Sequence, residues 1–259
     1  MNETILILSV AIVMLAFGAW GAIYYSAYAV RSQILGETVW CGSGNNNSVA
    51  LTFDDGPSPD TLEILDVLRA ENVKGTFFLI GESVEKYPEI ARKIAADGHK
   101  IGNHSFSHPI YLFCSANKVR NELEKTQEVI KKAIGVAPKL ARPPCGVRSK
   151  AYFEIARKLN LQTIQWSDAG FDWKNISAER IARNVLETAQ SDSIILLHDG
   201  DSAGKSRRRA TIEAVPIILS GLREKGLRVA PLAEICPEFH ENKSSLDFLP
   251  PLFQGRKKI

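Results

Sequence analysis

The chain has 259 residues, 45% hydrophobic and 24% charged, which is the make-up of a globular protein carrying extra apolar material and allows one or two domains. A net charge of +3, with the basic residues spread through amphipathic stretches, sets nucleic-acid binding aside. The four cysteines (Cys41, Cys114, Cys145 and Cys236) lie far apart with no CxxC pair, so neither a zinc ribbon nor a disulfide framework is indicated.

From 4 to 30 no charged side chain interrupts the sequence. A helix over that stretch would be about 40 Å long, enough to cross a hydrocarbon core of about 30 Å with tilt. Trp20, Tyr24, Tyr25 and Tyr28 crowd its second half, as aromatic side chains do near a membrane interface, and Arg31 ends it. Residues 1–31 are therefore read as an N-terminal membrane anchor. A cleaved signal peptide competes, because Ala27-Tyr28-Ala29 has a small-x-small form; Glu3 speaks against it, standing where a signal peptide carries positive charge.

Residues 32–47 end in a run of Gly, Ser and Asn and read as a linker. The folded domain is expected over 48–237. Its apolar runs predict seven strands, at 49–53, 76–80, 100–103, 139–142, 162–166, 194–197 and 228–231. Helical stretches separate them. Leu62, Leu65 and Leu68 recur at three-residue steps, Pro88 opens a segment that Gly98 closes, and Ser115 caps a stretch that stops at Gly135. The segments 149–159, 177–189 and 211–225 follow the same logic. Strands alternating with helices imply a parallel sheet covered by helices, open or closed, and the domain is short for a full eight-unit barrel. Residues 238–259, polar and ending in Arg256-Lys257-Lys258-Ile259, read as a flexible tail.

Five polar clusters each follow a predicted strand. The first, Asp54-Asp55-Gly56-Pro57, sets two carboxylates side by side, which repel and lose solvation unless a cation joins them; a turn with Asp as helix cap is the plain alternative. The second, His104-Ser105-Phe106-Ser107-His108, holds two of five histidines at a spacing that would put both imidazoles on one side of a helical turn. With a carboxylate they form a two-His, one-carboxylate set with positions open for water. The third is Arg142-Pro143-Pro144-Cys145-Gly146, where prolines fix the backbone and the Arg fork suits a carboxylate. The fourth, 166–173, is acidic and aromatic, and Trp173 is suited to a sugar face or to the core. The fifth, Leu196-Leu197-His198-Asp199, offers a candidate acid in His198. In a parallel sheet or barrel these strand ends converge on one face, where such folds place active sites.

Taken together, Thr52-Phe53-Asp54-Asp55-Gly56-Pro57 and His104-Ser105-Phe106-Ser107-His108-Pro109, with the three later clusters in order, resemble the polysaccharide deacetylases, the NodB-homology or carbohydrate esterase family 4 enzymes. The resemblance spans about 48–235 and implies an α/β fold, a distorted (β/α)7 barrel, here preceded by one transmembrane helix. It implies metal-dependent removal of N-acetyl groups from an amino-sugar polymer, peptidoglycan or a chitin-like N-acetylglucosamine glycan, with release of acetate. An O-acetyl esterase, a non-sugar amidase or a silent glycan-binding module are the alternatives. By the same resemblance Asp54 matches the general base, and Asp55, His104 and His108 match the ligands of one divalent ion: zinc first, with cobalt, nickel or manganese also suited. Arg142 matches the residue that orients the base, His198 the catalytic acid and Asp172 its orienting carboxylate. Trp173 and Leu196 would line the acetyl pocket, and the backbone N–H of Cys145 would face the oxyanion. The expected partners are the N-acetylated glycan and, through the N-terminal helix, a membrane, with the catalytic domain outside the cytoplasm, or secreted if the N-terminal segment is cleaved. Two positions depart from the family pattern. Cys145 stands where an aromatic, commonly Tyr, is usual, and Ala169 where Asp often occurs, with Asp168 one place earlier.

Overall fold

The computed structural model describes residues 3–44, 47–204 and 207–236; the tail expected at 238–259 lies outside the described residues. Helix α1 (Glu3–Tyr28) comes first, and its side chains from 7 to 25 are all exposed. The body then runs β1 (Ser48–Asp54), α2 (Pro59–Ala70), β2 (Thr76–Leu79), α3 (Gly81–Lys86), α4 (Pro88–Ala96) and β3 (Lys100–Asn103). It continues through α5 (Ala116–Ile134), β4 (Leu140–Ala141), α6 (Lys150–Lys158), β5 (Gln162–Thr163) and β6 (Asp168–Ala169). The last elements are α7 (Ala178–Thr188), β7 (Ile194–His198), α8 (Arg209–Glu224), β8 (Arg228–Val229) and α9 (Leu232–Ile235).

All strand pairs are parallel, in the order β5-β4-β3-β2-β1-β7-β6, with β8 beside the start of β1. The result is a curled half-barrel wrapped by helices, as a distorted (β/α)7 barrel requires. β1 is buried along its whole length because both its faces are covered, which explains its unbroken apolar run. The period of two still sorts its side chains. Val49, Leu51 and Phe53 join Phe77, Leu79, Ile195 and Leu197 in the large core under the helices. Ala50 joins Phe78, Ile164 and Ile194 in a smaller core on the other side of the sheet. Asp54 and His198 continue that second parity at the strand ends, and they are register partners on neighbouring strands. Helix punctuation follows the sequence: the Ser58 side chain caps α2, Ser115 caps α5, and Gly135 ends α5 at φ 84°.

Two expectations change. The stretch predicted as one strand over 162–166 is β5 alone, and a separate β6 appears at Asp168–Ala169, where a loop was expected. β6 owes its existence to pairing with Ile195 and Leu196, a tertiary contact that no local apolar run announces. Nor do residues 39–43 of the expected 32–47 linker hang free. Val39 bridges Ile164, Cys41 bridges Ser193, and the Ser43 N–H donates to the Ile235 carbonyl at 2.9 Å, so this segment seals the open side of the sheet.

Candidate active site

The C-terminal ends of β1, β3, β4 and β7 bring most of the named residues together. At the end of β1, Asp54 and Asp55 are both buried. The Arg142 guanidinium, without exposed surface, donates to Asp54 Oδ1 at 2.7 Å, to Thr52 Oγ1 at 2.9 Å and to the Gln165 carbonyl at 2.9 Å. It also lies over the Phe78 ring, 4.2 Å from the centroid. Burial pushes the Arg142 pKa down and Asp54 pushes it back, and a guanidinium so placed stays charged. Asp54 Oδ1 is thus fully engaged, and Oδ2 turns to the site, 3.8 Å from His104 Nε2.

Asp55 Oδ2 accepts from the Ser202 N–H at 3.3 Å, while Oδ1 is buried with no hydrogen-bond partner. That orphaned oxygen lies 3.5 Å from His104 Nε2 and 3.3 Å from His108 Nε2, and the three ligand atoms fall within 4.8 Å of one another. His104 Nδ1 faces the Arg142 carbonyl at 2.7 Å, which fixes the ring with Nε2 inward. The donor set fits a divalent ion: one carboxylate, two imidazoles and a buried acceptor that lacks a cation.

The electrostatics agree. Burial pushes the Asp55 carboxyl up, but His104, His198 and His108 outweigh it and hold the group well below the usual carboxylate range. For His104, burial lowers the pKa and the charges of Asp54 and Asp55 more than restore it, so the group lies above its ordinary value. His108 is pushed down to about 4 by burial and by His104. A cation between the three would compete with a proton for the imidazole nitrogens.

The pair does not sit on a helical turn. Residues 104–110 form a loop in which Ser105 (φ 67°) and His108 (φ 57°) take left-handed backbone. The loop is tied down from α5: buried Glu122 accepts from the N–H groups of Phe106 (2.8 Å) and Ser107 (2.7 Å) and from the Ser107 hydroxyl. Ser105 Oγ accepts from the His108 N–H at 2.9 Å. Glu122 was missed in the sequence, although a carboxylate between Val119 and Leu123 on an apolar helix face is a signal.

Across the site, Asp172 is buried and accepts from the His198 backbone N–H at 2.7 Å and faces its Nδ1 at 2.8 Å. Burial lowers the His198 pKa, and the Asp172 charge overrides it and raises the value to about 9. The Trp173 ring meets His198 edge to face at 5.4 Å and is 45% exposed, and Leu196 is buried on the strand beneath. Cys145 is exposed in left-handed backbone (φ 54°), in a turn closed by Gly146 N–H to Pro143 carbonyl at 2.9 Å. Asp199, which the sequence placed in the fifth cluster without a role, is buried, bonded by the Thr61 hydroxyl at 2.6 Å, its carboxyl pushed up to about 7 by burial. It packs where Gly56 leaves room, since a Cβ at Gly56 would strike its carboxylate.

This half-barrel, with its polar groups gathered at the strand ends, is the architecture of the polysaccharide deacetylases, and the chain belongs to that family. The family model for polysaccharide deacetylase matches residues 42–164. A peptidoglycan-N-acetylglucosamine deacetylase of Bacillus cereus is 40% identical over 203 residues, 78% of this chain and 73% of that protein. A chitooligosaccharide deacetylase of Bradyrhizobium is 34% identical over 197 residues, 73% of this chain and 90% of that one. Among solved structures, a peptidoglycan N-acetylglucosamine deacetylase superposes with a TM-score of 0.73 at 39% identity, covering 77% of this chain and 92% of that one. A family pseudoenzyme from Bacillus anthracis superposes at 0.70 with 28% identity, covering 77% and 68%. The family uses a divalent metal, and Asp55, His104 and His108 form a possible site for it.

Proposed function

We propose that this chain is a membrane-held deacetylase that hydrolyses the N-acetyl groups of an N-acetylglucosamine glycan, peptidoglycan or chitin-like, releasing acetate and leaving free amines. The observation that carries the reading is the pairing of Asp54 and His198 at one register on adjacent strands, flanking the Asp55, His104 and His108 set. Relatives named for peptidoglycan and chitooligosaccharide deacetylation support it. The catalytic domain would lie outside the cytoplasm, held by α1, whose apolar run over Ile7–Tyr28 is long enough to cross a membrane, with Glu3 ahead of it speaking against a cleaved signal.

Asp55, His104 and His108 would hold a divalent ion, zinc first and cobalt, nickel or manganese also suited, which would supply Lewis acidity for acidifying water and polarising the acetamide carbonyl. Asp54 takes a proton from the attacking water through Oδ2 while Arg142 holds Oδ1. The Cys145 N–H faces the oxyanion, a contribution of about 3 kcal/mol per donor in comparable sites. The C–N bond breaks as His198, oriented by Asp172, delivers a proton from Nε2 to the leaving nitrogen. Trp173 and Leu196 close around the acetyl methyl. A non-sugar amidase would use the same groups on another amide, and an O-acetyl esterase would use them with an alcohol oxygen as the leaving group, which depends less on protonation by His198.

The test compares acetate release from N-acetylated and O-acetylated oligosaccharides by the metal-loaded chain and by Asp54→Asn. N-deacetylation should dominate and should fall by about 10³-fold or more in the variant. Faster release from the O-acetyl substrate would replace the reading with the esterase, and unchanged turnover in Asp54→Asn would remove the base assignment.

A further inference from the structure

Helix α1 is built into the body at its far end. Ser26 and Ala27 are buried, and the Ala27 carbonyl accepts from the Arg148 backbone N–H at 3.1 Å. The Arg148 guanidinium, also without exposed surface, donates to the carbonyls of Ser26 at 3.2 Å, Ala29, and Val30 at 3.5 Å. These carbonyls belong to the last turn of α1 and the residues just past it, groups a helix leaves unpaired, and a cation there also opposes the helix dipole. Residues 7–25 are exposed throughout, so an apolar helix leaves the protein at Arg148, three residues after Cys145.

A second observation lies next to that exit. The loop after His108 leaves Ile110 37% and Phe113 76% exposed, while Tyr111 between them is buried and stacks on Tyr152 at 5.3 Å. Tyr152 lies in the first turn of α6, whose cap Ser149 follows Arg148 directly. The stretch carrying these two apolar side chains is thus packed, through Tyr111 on Tyr152, onto the helix that begins just after Arg148. Isolated exposed apolar residues are ordinary, but a pair on the segment packed next to the exit of an apolar helix, whose second half carries Trp20, Tyr24, Tyr25 and Tyr28, suits an interfacial surface.

We infer that a phospholipid bilayer covers this face: Arg148 locks the domain to α1 without a spacer, Phe113 and Ile110 enter the headgroup region, and the catalytic rim rests at the membrane. The substrate is then an N-acetylated glycan held at the membrane surface rather than glycan farther out. The inference rests on α1 spanning a bilayer, as proposed above. A solvated domain on a free linker would reach outward over the length of that linker; this one has no such reach.

The test uses the full chain in phosphatidylglycerol and phosphatidylethanolamine vesicles, with the photocrosslinker p-benzoylphenylalanine placed in turn at 20, 113 and 72. Asn72 is exposed in the turn between α2 and β2, at the opposite end of the strands. Lipid adducts are expected at 20 and 113 and not at 72. An adduct at 20 with none at 113, or with as much at 72, overturns the orientation and leaves the anchor standing; no adduct at 20 removes the anchor and the inference with it. A Phe113→Ser variant should keep its rate on a free chitooligosaccharide and lose several-fold on the same oligosaccharide attached to vesicle lipid. Equal rates for the two proteins on the attached substrate would contradict the inference.

Discussion

The two ends of the half-barrel solve the same backbone problem with different residues. At the end where strands begin, the left-handed positions are Asn47, Asn72, Asn160, Asp192, Gly98, Gly135 and Gly226, residue types that accept positive φ at little cost. At the end where strands finish, they include Ser105, Cys145 and Phe171, which do not, beside Asp55 and His108. Each such residue costs on the order of 1–3 kcal/mol unless its surroundings fix it. Glu122 gripping the 104–108 loop and Ser202 holding Asp55 are such surroundings. One end is built for folding, whereas the other holds side chains in positions that local preference would refuse.

The largest effect that tests this contrast is expected at the His198 pair. Asp172→Asn removes the charge that raises His198 to about 9 and should lower kcat by about 10²-fold. The sign is set by the protonated imidazole. Acting as the acid, His198 works below its folded pKa, so activity should fall as pH rises through about 9, and the variant's alkaline limb should move to lower pH, toward 6.5. The pair's contribution to stability is likewise full below 6.5 and lost as pH rises through about 9. A pH profile with an unmoved alkaline limb would break the assignment.

Smaller effects should separate the two ends. Cys145→Gly relieves positive φ at an exposed site and should raise stability by up to about 1 kcal/mol while lowering kcat, because the N–H at 145 is no longer held at one angle. Asn160→Ala at the other end should lower stability by about 1 kcal/mol and leave kcat unchanged. Denaturant midpoints and acetate release read both. Equal behaviour at the two positions would mean that the strain at the catalytic end has no part in the chemistry.

Much of this was legible in the sequence where a local pattern mirrors a tertiary role. The buried runs 49–53 and 194–197 read as central strands, and the polar cluster after each pointed to the catalytic face. What failed locally was decided at a distance. Asp168–Ala169 becomes a strand only beside Ile195 and Leu196. The histidine spacing suggested a helical turn because the 104–108 run has no glycine or asparagine to mark left-handed backbone; Glu122, on α5, holds that geometry from a distance. Val39, Trp40 and Cys41 were an apolar hint inside the supposed linker, outweighed by the Gly and Asn after them. Arg148 could not have been found, since its helix-capping partner Ser26 is 122 residues away. Membership of the family does not by itself guarantee turnover, as the superposed pseudoenzyme illustrates, so the site must be tested atom by atom.

The most direct measurement is metal stoichiometry on the full chain after removal and re-addition of a divalent ion, read by elemental analysis. Wild type and Asp54→Asn should each bind one equivalent, and His104→Ala and Asp55→Ala none at the same free concentration. Full binding by Asp55→Ala would contradict the account, because the buried oxygen without a partner would then not be the one that waits for a cation.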